Sequence, residues 1–253
     1  MAEKTGRLLT IVGMGPGVAL SVAKRFAAEG YAVAMIARQR EKLNSYAAKL
    51  RRPGCQAHGF EADAGNEPSL RAAFRAIEDG LGATDVLLYN AFAWRTGWPT
   101  TLTAEALAED FRVNVVGALV SVQQIVEAMK ARGRGTILIT GGGLALNPVP
   151  DIISPSPGFT SLAIGKAGLR SLAFSLAKEL EPVGIHVATV TICGEVREGT
   201  HFAPDRIADV FYHLHAQPTG KWDREVVYDQ STSLENLKSV GEPDPLRATV
   251  KRG

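Results

Sequence analysis

The sequence predicts an α/β fold in which a doubly wound parallel sheet of about seven strands lies between two layers of helices. Short apolar runs rich in β-branched residues alternate along the chain with longer segments of helical periodicity. Several of the short runs are almost entirely apolar, which is typical of strands that are covered on both faces. These two patterns together indicate parallel strands joined by helices.

The individual elements follow in chain order. Six segments are predicted as strands and a seventh, the last, is weaker: 8–12, 32–37, 56–60, 85–89, 135–140, 186–192 and 225–228. Helical periodicity covers the intervening segments 18–29, 40–50, 67–79, 108–132 and 159–181. Gly30 stands directly after the first of these helices, where a glycine commonly ends a helix.

Length and composition indicate one globular domain. The 253 residues suit a single domain, predicted over 1–229, followed by an irregular, polar tail over 230–253. The net charge of +2 comes without a basic stripe, which argues against a nucleic-acid partner. Two distant cysteines and five scattered histidines predict neither a disulfide framework nor a metal site. No apolar run approaches the length of a membrane span, so we expect a cytoplasmic protein.

A glycine-rich turn follows the first predicted strand. It contains Gly13, Gly15, Pro16 and Gly17, and Val18 opens the next helix. Glycines let a backbone approach a pyrophosphate without a Cβ clash, and the helix N-terminus offers free N–H groups to that anion. Pro16 removes one such donor. The turn predicts dinucleotide binding, and the alternative is a tight strand-to-helix turn without a ligand.

Further motifs follow in a fixed order: Asp63-Ala64, Asn90-Ala91, Asn114 and the Lys166 helix. With the glycine turn, they make residues 7–196 resemble the short-chain dehydrogenase/reductase family. The resemblance implies a Rossmann-type fold in three α/β/α layers, a nicotinamide dinucleotide and a small-molecule substrate. It also implies that Gly194 and Val196 contact the cofactor, and that residues around 195–222 form a small substrate lid.

Arg38 follows the second predicted strand, where the resemblance places the residue that selects the cofactor. No Asp or Glu lies between Tyr31 and Arg40. A guanidinium suits a 2′-phosphate through its charge and its forked donors. The sequence therefore predicts a preference for NADP(H), with NAD(H) as the alternative, unless Arg38 is only an exposed residue at a helix start. Asp63 and Ala64 correspond to the family's adenine-contacting pair, or else form a turn at a helix start.

Two residues that the family's reaction uses are missing. The resemblance assigns catalytic roles to Asn114 and Lys166, but Leu162 stands four residues before Lys166, where the family has tyrosine. Phe159, at the alternative spacing of seven, also lacks a hydroxyl, and glycines around Gly142 replace the usual serine. Leucine cannot exchange a proton, so Lys166 keeps only its predicted role toward the ribose.

Other side chains are considered as substitute proton donors, although each is better explained by a structural role. They are Thr140, Tyr89, Ser154, Ser156, Tyr212, His213 and His215. Cys193 precedes Gly194 and is interpreted as a buried, unreactive thiol. Loss of a general acid lowers a rate by about 10²–10⁴-fold. Two hypotheses therefore stay open: an oxidoreductase with an atypical site, and a catalytically silent dinucleotide-binding sensor or structural subunit.

The two long predicted helices bear apolar residues on more than one face, which predicts a homodimer or homotetramer. The residues concerned are Val115, Val116, Leu119, Val122, Val126, Leu169, Leu172, Leu176 and Leu180.

Overall fold

The computed structural model describes residues 7–51, 55–146 and 158–239, and it contains one parallel sheet of seven strands in the order β3-β2-β1-β4-β5-β6-β7. The strands are β1 (Leu8–Val12), β2 (Ala32–Ala37), β3 (Ala57–Glu61), β4 (Val86–Tyr89), β5 (Gly135–Gly142), β6 (Ile185–Ile192) and β7 (Glu225–Tyr228). The strand order reverses at β1, whose two neighbours are β2 and β4. In such sheets a ligand cleft opens at the carboxyl ends of the strands at this point.

Eight α-helices are present in the described part of the chain. They are α1 (Val18–Ala28), α2 (Arg40–Leu50), α3 (Glu67–Leu81), α4 (Ala104–Phe111), α5 (Gly117–Arg132), α6 (Thr160–Leu180), α7 (Pro204–His215) and α8 (Leu234–Ser239). A π-helical turn, Arg112–Val116, joins α4 to α5. None of these helices is both long and apolar enough to span a membrane.

Two apolar cores lie on the two faces of the sheet, because successive side chains of a strand point in opposite directions. Leu9 and Ile11 of β1 belong to the core beneath α1, α2 and α7. Leu8 and Val12 belong to the core beneath α3, α5 and α6. All five residues of β1 are buried, which explains why four of the five are apolar. The predicted three-layer α/β/α Rossmann-type fold is confirmed.

Some boundaries differ from the sequence-based prediction. The predicted helix 108–132 is divided by the π-turn, which begins at Arg112, into α4 and α5. Periodicity did not reveal this division, because a π-turn adds a residue without introducing proline or glycine. The tail predicted as irregular contains α8, and its Leu234 and Leu237 pack against the core. Residues 240–253 lie outside the described part.

Helix α7 was not predicted as a helix, and it occupies the middle of the segment expected to form a substrate lid. Ile207, Val210 and Phe211 of this helix are fully buried. Arg25 of α1 forms an ion pair with Asp209 at 3.0 Å. Residues 204–215 therefore pack against α1 as part of the core, and the substrate lid over 195–222 stays a prediction.

Candidate dinucleotide-binding and active site

A cleft of about 490 Å³ opens at the carboxyl ends of the first four strands. Four short segments at the ends of these strands line most of it, and Asp110 of α4 and Val113 of the π-turn complete the lining. The lining includes Gly13, Gly15, Arg38, Asp63, Ala64, Asn90, Ala91, Phe92, Ala93, Trp94, Arg95 and Asp110. The parallel sheet thus brings together residues that the sequence analysis assigned to a cofactor from four separate motifs.

The glycine turn has the shape that its sequence predicted. Gly13 has a φ of +86°, and a Cβ there would lie 2.3 Å from the backbone nitrogen of Ala91. A side chain is therefore excluded at Gly13 by conformation and by space. Gly15 and Gly17 differ, because a Cβ at either position would meet no atom within 4 Å. These two glycines leave open the space that a pyrophosphate would need, so the turn fits such a group.

Helix α1 begins at Val18 directly after this turn. Gly17 caps the helix without any side-chain hydrogen bond, and its first turn contains no acidic residue. The first N–H groups of a helix have no partner within the helix and lie at the positive end of its dipole. The end of α1 that faces the turn can therefore receive an anion.

Arg38 is exposed at the rim of the cleft, and no partner within residues 7–51, 55–146 and 158–239 neutralises its guanidinium. Arg40 is committed elsewhere, because it donates to the carbonyl of Gly59 at 2.7 Å and lies 3.5 Å from a carboxylate oxygen of Glu61. Of these two arginines, only Arg38 is available for a ligand in the cleft.

The predicted adenine-contacting pair lies across the cleft from the glycine turn. Asp63 is exposed and accepts a hydrogen bond from the N–H of Gly65 at 2.8 Å, so it also forms a turn. Gly194 and Val196 do not line this cleft. A Cβ at Gly194 would lie 2.2 Å from the ring of Phe202, and Val196 is exposed. The structure therefore does not bring these last two residues to the other cofactor residues.

Asn90 links three strands through its carboxamide. Its Nδ2 donates to the carbonyl of Gly13 at 2.9 Å, and its Oδ1 accepts from the hydroxyl of Thr140 at 2.9 Å. The glycine turn after β1 is thereby joined to the ends of β4 and β5. Because the Thr140 hydroxyl is used in this bond, the structure does not support Thr140 as the substitute for the missing serine.

Asn114 lies in the π-turn and is buried. Its Nδ2 donates to the carbonyl of Ala93, and its Oδ1 accepts from the N–H of Ala93, both at 2.8 Å. A Cβ at Gly165 would lie 2.5 Å from the same Nδ2, so α6 passes directly against this carboxamide. Both ends of the Asn114 side chain therefore hold the backbone of the segment after β4.

Lys166 of α6 is buried beside the end of β5. Its ammonium donates to the carbonyl of Thr140 at 2.7 Å and lies 5.8 Å from the centre of the Phe92 ring. Burial disfavours the charged form and lowers the pKa of Lys166 to about 8. Phe92 and Ala93 line the cleft, and Lys166 and Asn114 lie directly behind them.

Leu162 and Gly142 occupy the two positions where the resemblance implies the tyrosine and the serine. Leu162 is half-buried on α6, one turn before Lys166. A Cβ at Gly142 would come no closer than 3.8 Å to any atom, and its nearest neighbours are the methylene groups of Lys166. A serine would therefore fit at Gly142 without displacing its surroundings.

Comparison with known proteins gives the family. The model of the short chain dehydrogenase family matches residues 7–204. The chain belongs to this family. The oxidoreductase asL5 of Sarocladium schorii is 27% identical over 246 residues, which cover 97% of this chain and 87% of that protein.

Solved structures of other family members are similar as well. A metagenomic short-chain oxidoreductase crystallised in complex with NADP has a TM-score of 0.77 and 26% identity, with coverage of 88% of this chain and 96% of that one. A short-chain dehydrogenase from Rhodopseudomonas palustris has a TM-score of 0.73 and 28% identity, with coverage of 87% and 96%.

The substitute proton donors of this short-chain dehydrogenase lie away from the cleft. The Tyr89 hydroxyl donates to the carbonyl of Val113, and burial raises its pKa. His215 lies at the amino ends of the strands, with Nε2 2.7 Å from the Tyr31 hydroxyl and Nδ1 2.9 Å from the Thr136 hydroxyl.

Two further candidates are also placed by the structure, and two are not. Tyr212 packs edge-on against Phe26 on α1, with Arg25 over its ring. The Cys193 thiol is half-buried and not fully buried as predicted; it lies 3.6 Å from the carbonyl of Thr191, and burial raises its pKa. Ser154 and Ser156 lie outside the described residues.

The sequence analysis missed a buried polar network at the outer end of the site. The Ser161 hydroxyl donates to Asp110 at 2.7 Å and accepts from the N–H of Arg95 at 3.2 Å. It also missed a row of aromatic rings formed by Phe92, Trp94 and Phe159. The spacing of two between Phe92 and Trp94 was a signal for this row, because alternate residues of an irregular segment can point the same way.

Proposed function

We propose that the protein is an NADP(H)-dependent oxidoreductase with an atypical active site that acts on a small molecule. The observation that supports the cofactor most directly is Arg38, an exposed guanidinium at the cleft with no protein partner in the described part of the chain. A 2′-phosphate would satisfy it, whereas the hydroxyl of NAD(H) would not. The similar metagenomic oxidoreductase binds NADP, which agrees with this assignment.

When bound, the nicotinamide would donate or accept the hydride. The proton must come from the protein or from water, since Leu162 cannot supply it. Lys166 is the side chain best suited to this role, because a pKa of about 8 allows both protonation states near neutrality. Asn114 is less suited to anchor a water through its side chain, because both ends of that side chain hold Ala93. We therefore assign the proton to Lys166, acting directly or through one water.

The second candidate is a catalytically silent dinucleotide-binding protein, a sensor or a structural subunit. One observation favours it: no hydroxyl-bearing side chain lines the cleft within the described ranges. The Phe92 ring also stands between the cleft and Lys166. The residues predicted to bind the cofactor, the glycine turn and Arg38, are therefore present. The hydroxyl groups that the family's reaction uses are absent from the described lining of the cleft.

A turnover assay with matched variants separates the two candidates. Carbonyl, alcohol and enoyl compounds would be screened with NADPH and NADP⁺ on the wild type, on Lys166→Ala, and on Leu162→Tyr combined with Gly142→Ser. Turnover by the wild type that disappears in Lys166→Ala supports the oxidoreductase. Turnover only by the double variant, with NADPH binding intact in the wild type, supports the silent protein.

A further inference from the structure

The segment 91–98, between β4 and α4, is anchored at every second residue by polar groups of its neighbours. Asn114 holds both backbone groups of Ala93 at 2.8 Å. Ser161 accepts from the N–H of Arg95 at 3.2 Å, and Thr160 donates to the carbonyl of Gly97 at 2.8 Å. Hydrogen bonds at these three alternate residues hold the segment against the π-turn and the start of α6.

Two residues that alternate with these anchored positions, Phe92 and Trp94, carry large apolar side chains that are exposed. Phe92 is 52% exposed and Trp94 is 46% exposed. Their rings are stacked with centroids 5.8 Å apart and planes inclined by 16°, and Phe159 continues the stack 6.4 Å from Trp94 at 28°. Isolated exposed apolar side chains are ordinary, but a contiguous row on an anchored backbone marks a binding surface.

The row is continuous with the cleft. Phe92 and Trp94 belong to the cleft wall, and Phe92 lies against Lys166 at its inner end. A ligand that lies along the row would therefore extend into the cleft, where a nicotinamide dinucleotide would bind under the proposed function. This continuity favours a small molecule over a second copy of the chain as the occupant.

The guanidinium beside the row is already engaged by carboxylates of the protein. Arg95 follows Trp94, and its guanidinium lies 2.5 Å from a carboxylate oxygen of Glu109 and 3.6 Å from one of Asp110. Two carboxylates on one guanidinium leave no free positive charge for an anionic ligand. The ligand that fits best is neutral and presents a flat face, because aromatic pairs favour offset stacking.

We propose that Phe92, Trp94 and Phe159 form a stacking platform for a neutral substrate with a planar ring system, whose reactive group enters the cleft. The inference deepens the proposed function, since it names the substrate class of the same site. Trp94, in the middle of the row, is 46% exposed and contacts both of the other rings.

The test measures binding, so it does not depend on turnover. Equilibrium dialysis would compare methyl 2-naphthyl ketone with its saturated analogue, decahydronaphthyl methyl ketone, on the free protein and on the NADPH-loaded protein. The variants are Trp94→Leu and, as a matched control, Trp98→Leu. Trp98 lies on the same segment and is 51% exposed, but it makes no ring contact with another residue of the described chain.

The expected result is tighter binding of the planar ketone than of the saturated one, and about tenfold weaker planar binding in Trp94→Leu with little change in Trp98→Leu. Equal affinities for the two ketones, or equal losses in both variants, would overturn the platform. A change in oligomer size in Trp94→Leu alone would also overturn it and assign the row to a protein interface. NADPH affinity, measured in parallel, reports separately on the proposed function.

Discussion

The Lys166 ammonium lies 2.7 Å from the carbonyl oxygen of Thr140, and the hydroxyl of the same threonine donates to Asn90. One residue at the end of β5 therefore holds the lysine with its backbone and the β4 asparagine with its side chain. Within the described part of the chain, the hydrogen-bond partner of the buried ammonium is a neutral carbonyl and not a carboxylate, so burial lowers the pKa of Lys166 without an opposite charge to offset it.

The stability of the fold is expected to depend on the protonation of Lys166. The pKa of Lys166 in the folded protein, about 8, lies below the ordinary lysine value of 10.5, so folding disfavours the charged form. The unfolded chain binds more protons between these two values, so this group's contribution to the free energy of unfolding rises by about 3 kcal/mol as the pH increases through that window. Chemical denaturation from pH 7 to 10.5 gives the free energy of unfolding of the wild type and of Lys166→Met. The change with pH in the difference between these two free energies measures the contribution of Lys166. A constant difference would contradict the prediction.

Arg38→Asp is expected to weaken NADPH binding by about 10–100-fold, because a charge-assisted hydrogen bond is lost and a repulsion is added. NADH binding should change much less, since its ribose carries no phosphate at that position. Fluorescence titration with both nucleotides provides the measurement. Arg75→Asp, an exposed arginine on α3, is the matched control for net charge. Equal wild-type affinities for NADPH and NADH would refute the assignment of Arg38.

Gly165→Ala is expected to destabilise the protein, whereas Gly142→Ala is expected to be tolerated. A Cβ at Gly165 would lie 2.5 Å from Asn114 Nδ2, while one at Gly142 would come no closer than 3.8 Å to any atom. The first substitution forces Asn114 from Ala93, and leaving a buried polar group without its partner costs about 1–3 kcal/mol. Urea denaturation of the two variants gives both values, and equal stabilities would show that Asn114 does not depend on the close approach of α6.

Self-association is expected through the outer faces of α5 and α6. Val122, Leu169, Leu176 and Leu180, which the sequence analysis included in the apolar stripes, are buried within the subunit and are not available for an interface. Val116, Leu119 and Ile164 remain exposed, by 37%, 38% and 42%. These three residues define the face that we propose to be covered in a homodimer or homotetramer.

Leu119→Glu combined with Ile164→Glu should convert that assembly to monomers, because two carboxylates would be buried without partners. Light scattering at micromolar concentration measures the mass. Val183→Glu is the control, since Val183 is exposed to the same degree, 42%, at the other end of α6. A monomeric mass for the wild type would show that the exposed face is not an interface.

The sequence by itself determined the sheet, the glycine turn and the cofactor end of the site. These features depend on local rules: apolar runs specify buried strands, and glycines specify the turn at Gly13. Arg38 and Asp63 could be placed at one cleft because parallel strands bring their carboxyl ends to the same edge. The sequence also shows that position 162 is leucine and not tyrosine, since this concerns only the identity of the residue.

Only the tertiary structure decided what the remaining polar groups do. Thr140 is a plausible substitute donor by its position in the sequence, but its partner Asn90 is 50 residues away, and packing brings the two together. Packing likewise decides the hydrogen-bond partners of Asn114, which donates to Ala93, and of Ser161, which donates to Asp110. A hydrogen-bond partner and a pKa depend on burial and on neighbours from distant parts of the chain, and no local pattern encodes them.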